Sequence, residues 1–305
     1  MSVPVIPFEE GEARLDWLAL CDAFEAGHRM PRAEIADSFL YRGGDTLLSR
    51  AAWIDGLGIA VKSATIFPGN GEKGLPSVNG GVSLYADDTG VLEAIVDFHL
   101  VTKWKTAGDS LTAARRLARP DAREILIVGA GTVGRSLREA YGAAFPMARF
   151  SVWNRSRDRA EALAADFPGM QVADDLERAV RAADIVTSAT MAKEPLILGD
   201  WLQPGQHVDL IGAFRPDMRE ADDTALARAR VFVDSRDTTI GHIGELKIPV
   251  EAGAFRPEDV VADYYDPPGT FRRQGEDEIT LFKNGGGAHL DLMCARYILD
   301  RWQAG

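Results

Sequence analysis

An apolar strand that runs into a GxGxxG turn and then a helix constrains this chain more than any other feature. Glu124-Ile125-Leu126-Ile127-Val128 is followed directly by Gly129-Ala130-Gly131-Thr132-Val133-Gly134. In that order Gly129 permits the tight turn, Gly131 lets a dinucleotide pyrophosphate approach the backbone, and Gly134 packs the helix against the strand. The helix N-terminus adds positive partial charge. Residues 150–154, 184–190 and 207–212 read as further strands, with helical segments such as 158–165 between them. The expected class is therefore α/β, with a Rossmann dinucleotide-binding domain whose phosphate turn comprises Gly129, Gly131, Thr132, Val133 and Gly134.

Charge narrows the partners. A net charge of −12 and a pI near 5.0 argue against nucleic acid or an anionic membrane, both of which call for a basic surface. Cys21 and Cys294 are far apart in sequence, so neither a disulfide framework nor a metal site is expected. Without a basic leader or a long apolar run, the expected location is the cytoplasm.

With 305 residues, of which 46% are hydrophobic, the chain is long enough for two domains. The break is placed at Ala118-Arg119-Pro120-Asp121, because proline cannot continue the preceding helix. Before it, 57–65 and 81–85 are β-like runs separated by glycine-rich turns. After the dinucleotide region come a turn-rich acidic stretch (264–277), a strand (278–283), the run Gly285-Gly286-Gly287 and a last helix from Ala288 to about Trp302. That helix is expected to return to the first domain. The expected division is a discontinuous α+β domain of 1–117 completed by 288–305, and a Rossmann domain of 118–287.

Several stretches carry a resemblance that spans nearly the whole chain: Gly58-Ile-Ala-Val-Lys62, Phe67-Pro68-Gly69-Asn70, Gly74-Leu-Pro-Ser77, Leu100-Val-Thr-Lys-Trp-Lys105, Val128-Gly-Ala-Gly131, Val152-Trp-Asn-Arg155, Ala189-Thr190, Arg219-Glu220 and Leu281-Phe282-Lys283. The sequence resembles the ornithine cyclodeaminase/mu-crystallin family. That resemblance implies an NAD(P)-binding Rossmann domain, a substrate domain that also builds a homodimer, and hydride transfer to or from a carbon–nitrogen bond beside a carboxylate.

The resemblance also implies site residues. Lys62 matches the lysine beside the reacting nitrogen and the substrate carboxylate. Lys105 stands where most members carry a carboxylate-clamping arginine, and it keeps the charge without the planar fork. Ser77 falls where a hydroxyl often lies near the substrate, with a turn serine as the competing reading. Arg50 stands near a methionine position and puts a cation in the substrate wall. Arg32 is the candidate for an early carboxylate-binding arginine, with His28 and Arg42 as rivals. Asn154, Arg155 and Thr190 complete the cofactor set. Asn154-Arg155 in place of an acidic residue leaves NADP possible, although NAD is expected. His99 and His289 stay outside the catalytic set.

The cyclodeaminases use an aspartate shortly after the last Rossmann strand, where this chain has Ile211-Gly212-Ala213-Phe214. Phenylalanine transfers no proton, so reduction of an α-imino acid is expected instead. An additional Arg50 would suit a second carboxylate, which makes iminosuccinate, reduced to aspartate, the leading expectation. A reductase of cyclic ketimines such as pyrroline- or piperideine-2-carboxylate is the alternative. Ornithine cyclodeamination and a non-catalytic, crystallin-like binding role rank lower.

Overall fold

The computed structural model describes residues 3–305. Contacts within the chain separate two compact units, Met1–Lys105 with Gly286–Gly305, and Thr106–Gly285. The first begins with β1 (Val5–Ile6), α1 (Phe8–Glu12) and α2 (Trp17–Gly27). It continues with β2 (Glu34–Arg42), β3 (Asp45–Ile54), β4 (Gly58–Ile66), β5 (Val78–Tyr85) and β6 (Leu92–Asp97). Helix α3 (Phe98–Leu117) follows without a loop. These strands form one sheet in the order β1-β6-β5-β4-β3-β2, antiparallel except for β1 beside β6. Along β4, Gly58, Ala60, Lys62 and Ala64 alternate onto the buried face. A lysine thus occupies a core position of a strand whose other buried residues there are small.

The second unit carries β7 (Glu124–Val128), α4 (Thr132–Ala144), β8 (Arg149–Trp153), α5 (Arg157–Asp166), β9 (Gln171–Val172), α6 (Leu176–Ala182), β10 (Ile185–Ser188), β11 (His207–Leu210), α7 (Asp223–Arg228), β12 (Arg230–Val233), α8 (Arg236–Thr239), α9 (Gly244–Glu251), β13 (Val260–Ala262) and β14 (Thr280–Lys283). Its eight strands are all parallel, in the order β13-β12-β14-β11-β10-β7-β8-β9. Strands β10, β11 and β14 are buried throughout, as expected for parallel strands covered on both faces. Chain order reverses between β7 and β10, and that switch point is where doubly wound sheets bind ligands.

The division between units lies inside α3, not at the proline-containing loop where the sequence suggests it. Ala113 and Leu117, in the second half of α3, pack in one core with Phe232, Tyr264, Phe271 and Phe282. The helix ends at Leu117 as Pro120 suggests, but its burial assigns its later turns to the second unit. The last helix, α10 (Ala288–Gln303), packs on α2 and across β3, β4, β5 and β6 of the first unit. Among the described residues no helix is long and apolar enough to cross a membrane. None of their His, Cys, Asp and Glu side chains forms a cluster suited to a metal.

Candidate functional site

In the first unit the sheet register builds a transverse row. Asp37 on β2 faces Arg50 on β3, and Arg50 faces Lys62 on β4. Directly opposed residues of antiparallel strands share a face, so two cations lie side by side and require carboxylates nearby. Asp37 supplies one, accepting from Arg50 Nε at 3.2 Å and Nη2 at 2.8 Å. Asp291, in the first turn of α10 and only 1% exposed, supplies the other. Lys62 Nζ donates to Asp291 Oδ1 at 2.8 Å and to Thr102 Oγ1 at 2.9 Å, and it lies 4.6 Å from the centre of the Phe98 ring. Phe98, Thr102 and Lys105 follow each other at i, i+4 and i+7, so one stripe of α3 carries all three. Lys105 Nζ donates to the Gly286 carbonyl at 2.8 Å, and Arg50 Nη1 donates to the same oxygen at 3.1 Å.

Burial alone would push the Asp291 carboxyl up, but Lys62, Lys105 and Arg50 outweigh it and hold the group below the usual carboxylate range. His289 lies one turn from Lys105's partner Gly286, and burial, reinforced by the charge of Lys105, pushes its imidazole down to about 3. It is therefore uncharged at neutral pH. Its ring meets that of His28 edge-on at 5.5 Å, and His28 Nδ1 lies 2.7 Å from the Phe24 carbonyl.

The expected residues divide accordingly. Lys62, Lys105 and Arg50 come together. Arg32 is exposed in the loop before β2, within electrostatic reach of His289. Arg42 pairs with Asp45 at the hairpin end, 3.5 Å away. Ser77 precedes β5, its carbonyl accepting from Phe67 N–H; five ladder positions separate it from the partner of Lys62, or about 16 Å along the sheet. The register therefore favours the turn reading of Ser77. The sequence reading passes over Asp291 and Thr102. An aspartate flanked by Leu290 and Leu292 in an apolar helix is a signal that could have found the first.

In the second unit Gly129 has φ +111°, and an added Cβ there would lie 2.6 Å from the Ala189 carbonyl oxygen. A Cβ on Gly134 would meet the Gly129 carbonyl at 2.1 Å, whereas one on Gly131 would meet nothing within 4 Å. Gly131 also caps α4 without a side-chain hydrogen bond, and both Gly131 and Thr132 are exposed. That open, uncapped cradle fits a pyrophosphate. Val133 is half-buried beside it. Asn154, just past β8, accepts from Ala130 N–H at 3.2 Å and donates to the Ser156 carbonyl at 2.9 Å, so it ties the second strand to the glycine turn. Arg155 beside it is exposed. Thr190 turns its hydroxyl to Glu220 at 2.8 Å.

Beyond β11, Phe214 is 58% exposed. Asp217 is held by Lys193 and Arg215, whose hydrogen bonds pull its carboxyl down to about 2. At neutral pH it carries no proton to move.

The sequence profile of the ornithine cyclodeaminase/mu-crystallin family matches residues 52–305. The chain belongs to the ornithine cyclodeaminase/mu-crystallin family. Among curated relatives, the Delta(1)-pyrroline-2-carboxylate reductase of Paracoccus denitrificans (strain Pd 1222) is 53% identical over 300 residues, covering 96% of this chain and 95% of the relative. Two solved structures match in fold. The Thermococcus litoralis Delta(1)-pyrroline-2-carboxylate reductase in complex with NADH and L-proline has a TM-score of 0.90 at 23% identity, covering 99% of this chain and 98% of that one. The iminosuccinate reductase of Paracoccus denitrificans in complex with NAD+ has a TM-score of 0.87 at 24% identity, covering 99% and 97%.

Proposed function

We propose that this family member is a nicotinamide-dependent reductase of a cyclic α-imino acid, Delta(1)-pyrroline-2-carboxylate or its six-membered homologue, yielding the cyclic amino acid. The pairing of Arg50 carries this reading. Arg50 was the reason to expect a second substrate carboxylate, yet its guanidinium engages Asp37 through two nitrogens and the Gly286 carbonyl through a third. Lys62, Lys105 and Arg50 against Asp291 and Asp37 leave one net positive charge, which suits a monocarboxylate. The reductase that is 53% identical over almost the full chain supports the cyclic substrate over iminosuccinate.

Reduction adds a hydride to the carbon of the protonated imine, whose nitrogen takes its proton from water before the transfer. The glycine turn of Gly129, Gly131 and Gly134 would hold the pyrophosphate of NADH, which would supply the hydride, and the NADH and NAD+ complexes among the fold neighbours support that cofactor. An ammonium has three N–H donors. Asp291 and Thr102 accept two from Lys62, which leaves the third for the substrate nitrogen or carboxylate. Lys105 holds the carboxylate in place of the Gly286 carbonyl, a charge-assisted bond displacing a neutral one. Asp291 keeps Lys62 oriented throughout.

The deciding measurement follows nicotinamide oxidation with pyrroline-2-carboxylate, piperideine-2-carboxylate, and oxaloacetate plus ammonia, each with NADH and NADPH. The cyclic imines should give the highest kcat/KM, and a higher value with oxaloacetate plus ammonia overturns the assignment. Arg50→Met should lower activity with every substrate by a similar factor. A selective loss with oxaloacetate plus ammonia would instead restore the dicarboxylate reading.

A homodimer built through the first unit belongs to the same proposal. Edge strand β2 is exposed along its whole length, with Leu40 67% and Tyr41 73% accessible, and such an edge invites a partner. Sedimentation velocity should give twice the 33.1 kDa chain mass; a monomer at micromolar concentration would contradict it.

A further inference from the structure

Glu220 lies in the segment between β11 and α7 and is fully buried, yet the proposed reaction makes no use of it. Its carboxylate accepts four hydrogen bonds. Oε1 receives Ser188 Oγ at 2.6 Å, Thr190 N at 2.8 Å and Thr190 Oγ1 at 2.8 Å, while Oε2 receives Gly212 N at 2.5 Å. The donors lie at the C-terminal ends of β10 and β11, so one side chain joins the two loops that follow these strands. The joint is tight: a Cβ on Gly212 would sit 2.0 Å from the Thr190 carbonyl oxygen and 2.7 Å from Glu220 Oε1. The next contact outward is the phosphate turn, because Gly129 packs against the Ala189 carbonyl and the Thr190 methyl.

Glu220 is itself anchored. Glu245 on α9 accepts its backbone N–H at 2.8 Å and that of Ala221 at 2.9 Å. Lys283 on β14 is the buried cation facing both glutamates, and its ammonium donates to the Leu210 and Asn284 carbonyls, each at 2.8 Å. Burial pushes the Glu220 carboxyl up, while the charge of Lys283 and the donors from Ser188 and Thr190 pull it back toward the ionised form. Purely structural carboxylates often cap one helix or one turn. This one instead joins the loops that follow β10 and β11, and the first of those loops packs against Gly129 of the glycine turn.

We infer that Glu220 is a positioning residue for the dinucleotide, setting the β10 and β11 loops against the glycine turn so that the cradle is formed before cofactor arrives. The inference rests on the nicotinamide reading above. Glu220→Gln is isosteric but replaces one acceptor oxygen by an NH2 group, so either Gly212 N–H or the Ser188 and Thr190 donors must face another donor.

NADH binding to the purified protein, followed by fluorescence, reads the effect without turnover. Wild type is measured first: if it binds neither NADH nor NADPH, the nicotinamide reading fails, independently of Glu220. Given wild-type binding, Glu220→Gln should weaken NADH affinity at least fivefold at a temperature where the variant is folded. Amide exchange should accelerate at Thr190 and Gly212, and KM for NADH should rise more than KM for the imine. A change in NADH affinity below fivefold in the folded variant overturns the inference, since a merely structural carboxylate would lower Tm and leave affinity alone. Should Glu220→Gln not fold, Ser188→Ala removes one of the four donors and is judged the same way, with a twofold loss of affinity as the threshold.

Discussion

Replacing Lys62 by Met should lower imine turnover by roughly 10²–10³-fold, the range seen when a single preorganised donor to a developing charge is removed. NADH affinity should stay within about twofold, because Lys62 belongs to the first unit and the glycine turn to the second. Stability should fall as well. Asp291 loses its 2.8 Å partner and is left in the core with Arg50 Nη1 at 3.9 Å from Oδ2. Breaking a buried pair from one side costs about 3–5 kcal/mol, and Arg50 and Lys105 nearby place this case at the lower end. The pH dependence follows the same logic. The Asp291 carboxyl is held below its ordinary value in the folded protein, so the pair's contribution is complete above about pH 4 and disappears as acid carries the pH through the folded-state value. Without Lys62 that loss should begin at higher pH.

The double variant Lys62→Met, Asp291→Asn separates the two roles. Removing both charges should recover most of the lost stability, because the uncompensated carboxylate is gone, yet turnover should stay low. Recovery of activity with stability, or near-normal turnover in Lys62→Met alone, would remove Lys62 from the chemistry. Chemical denaturation and steady-state kinetics on the same preparations give both readouts.

This cluster also shows where sequence reasoning stops. The Rossmann turn is legible because its chemistry is local: the strand, three glycines and the helix start occupy consecutive residues, and each glycine has a steric reason within the same segment or a neighbouring strand. Lys62 is legible as a lysine in an apolar run of period two, and the structure puts it on the buried face of β4. Arg50 was equally visible as a residue, but its partner was not. Asp37 meets it only through the register of β2 on β3, and a shift of one residue would have turned the pair to opposite faces. An arginine read without its partner suggested a dicarboxylate; its pairing with Asp37 is what supports the proposed monocarboxylate. Asp291 lies 229 residues from Lys62 and becomes meaningful only once α10 packs on the sheet. The domain division was misplaced for a related reason: the loop at Pro120 marks the end of α3, whereas burial of Ala113 and Leu117 decides which unit its last turns join.

Substituting Gly131 by Ala should weaken NADH binding at least tenfold, about 1.4 kcal/mol, without destabilising the protein. The two effects should even have opposite signs. Gly131 has φ −92° and ψ −169°, extended backbone open to any residue, and its added Cβ meets no protein atom within 4 Å. Alanine there restricts the unfolded chain and should raise stability by about 0.4–1 kcal/mol. The methyl group would project from the exposed cap of α4, where the pyrophosphate has to approach the uncapped N–H groups. Gly134→Ala is the contrasting case. Its Cβ would lie 2.1 Å from the Gly129 carbonyl oxygen, backbone that cannot rotate away, so α4 must shift and both stability and NADH affinity should fall. Calorimetry of the ligand-free proteins together with NADH titrations distinguishes the two positions. A Gly131→Ala protein that binds NADH like wild type would mean that the dinucleotide does not cross this turn closely, and the glycine there would owe its presence to nothing in the cofactor.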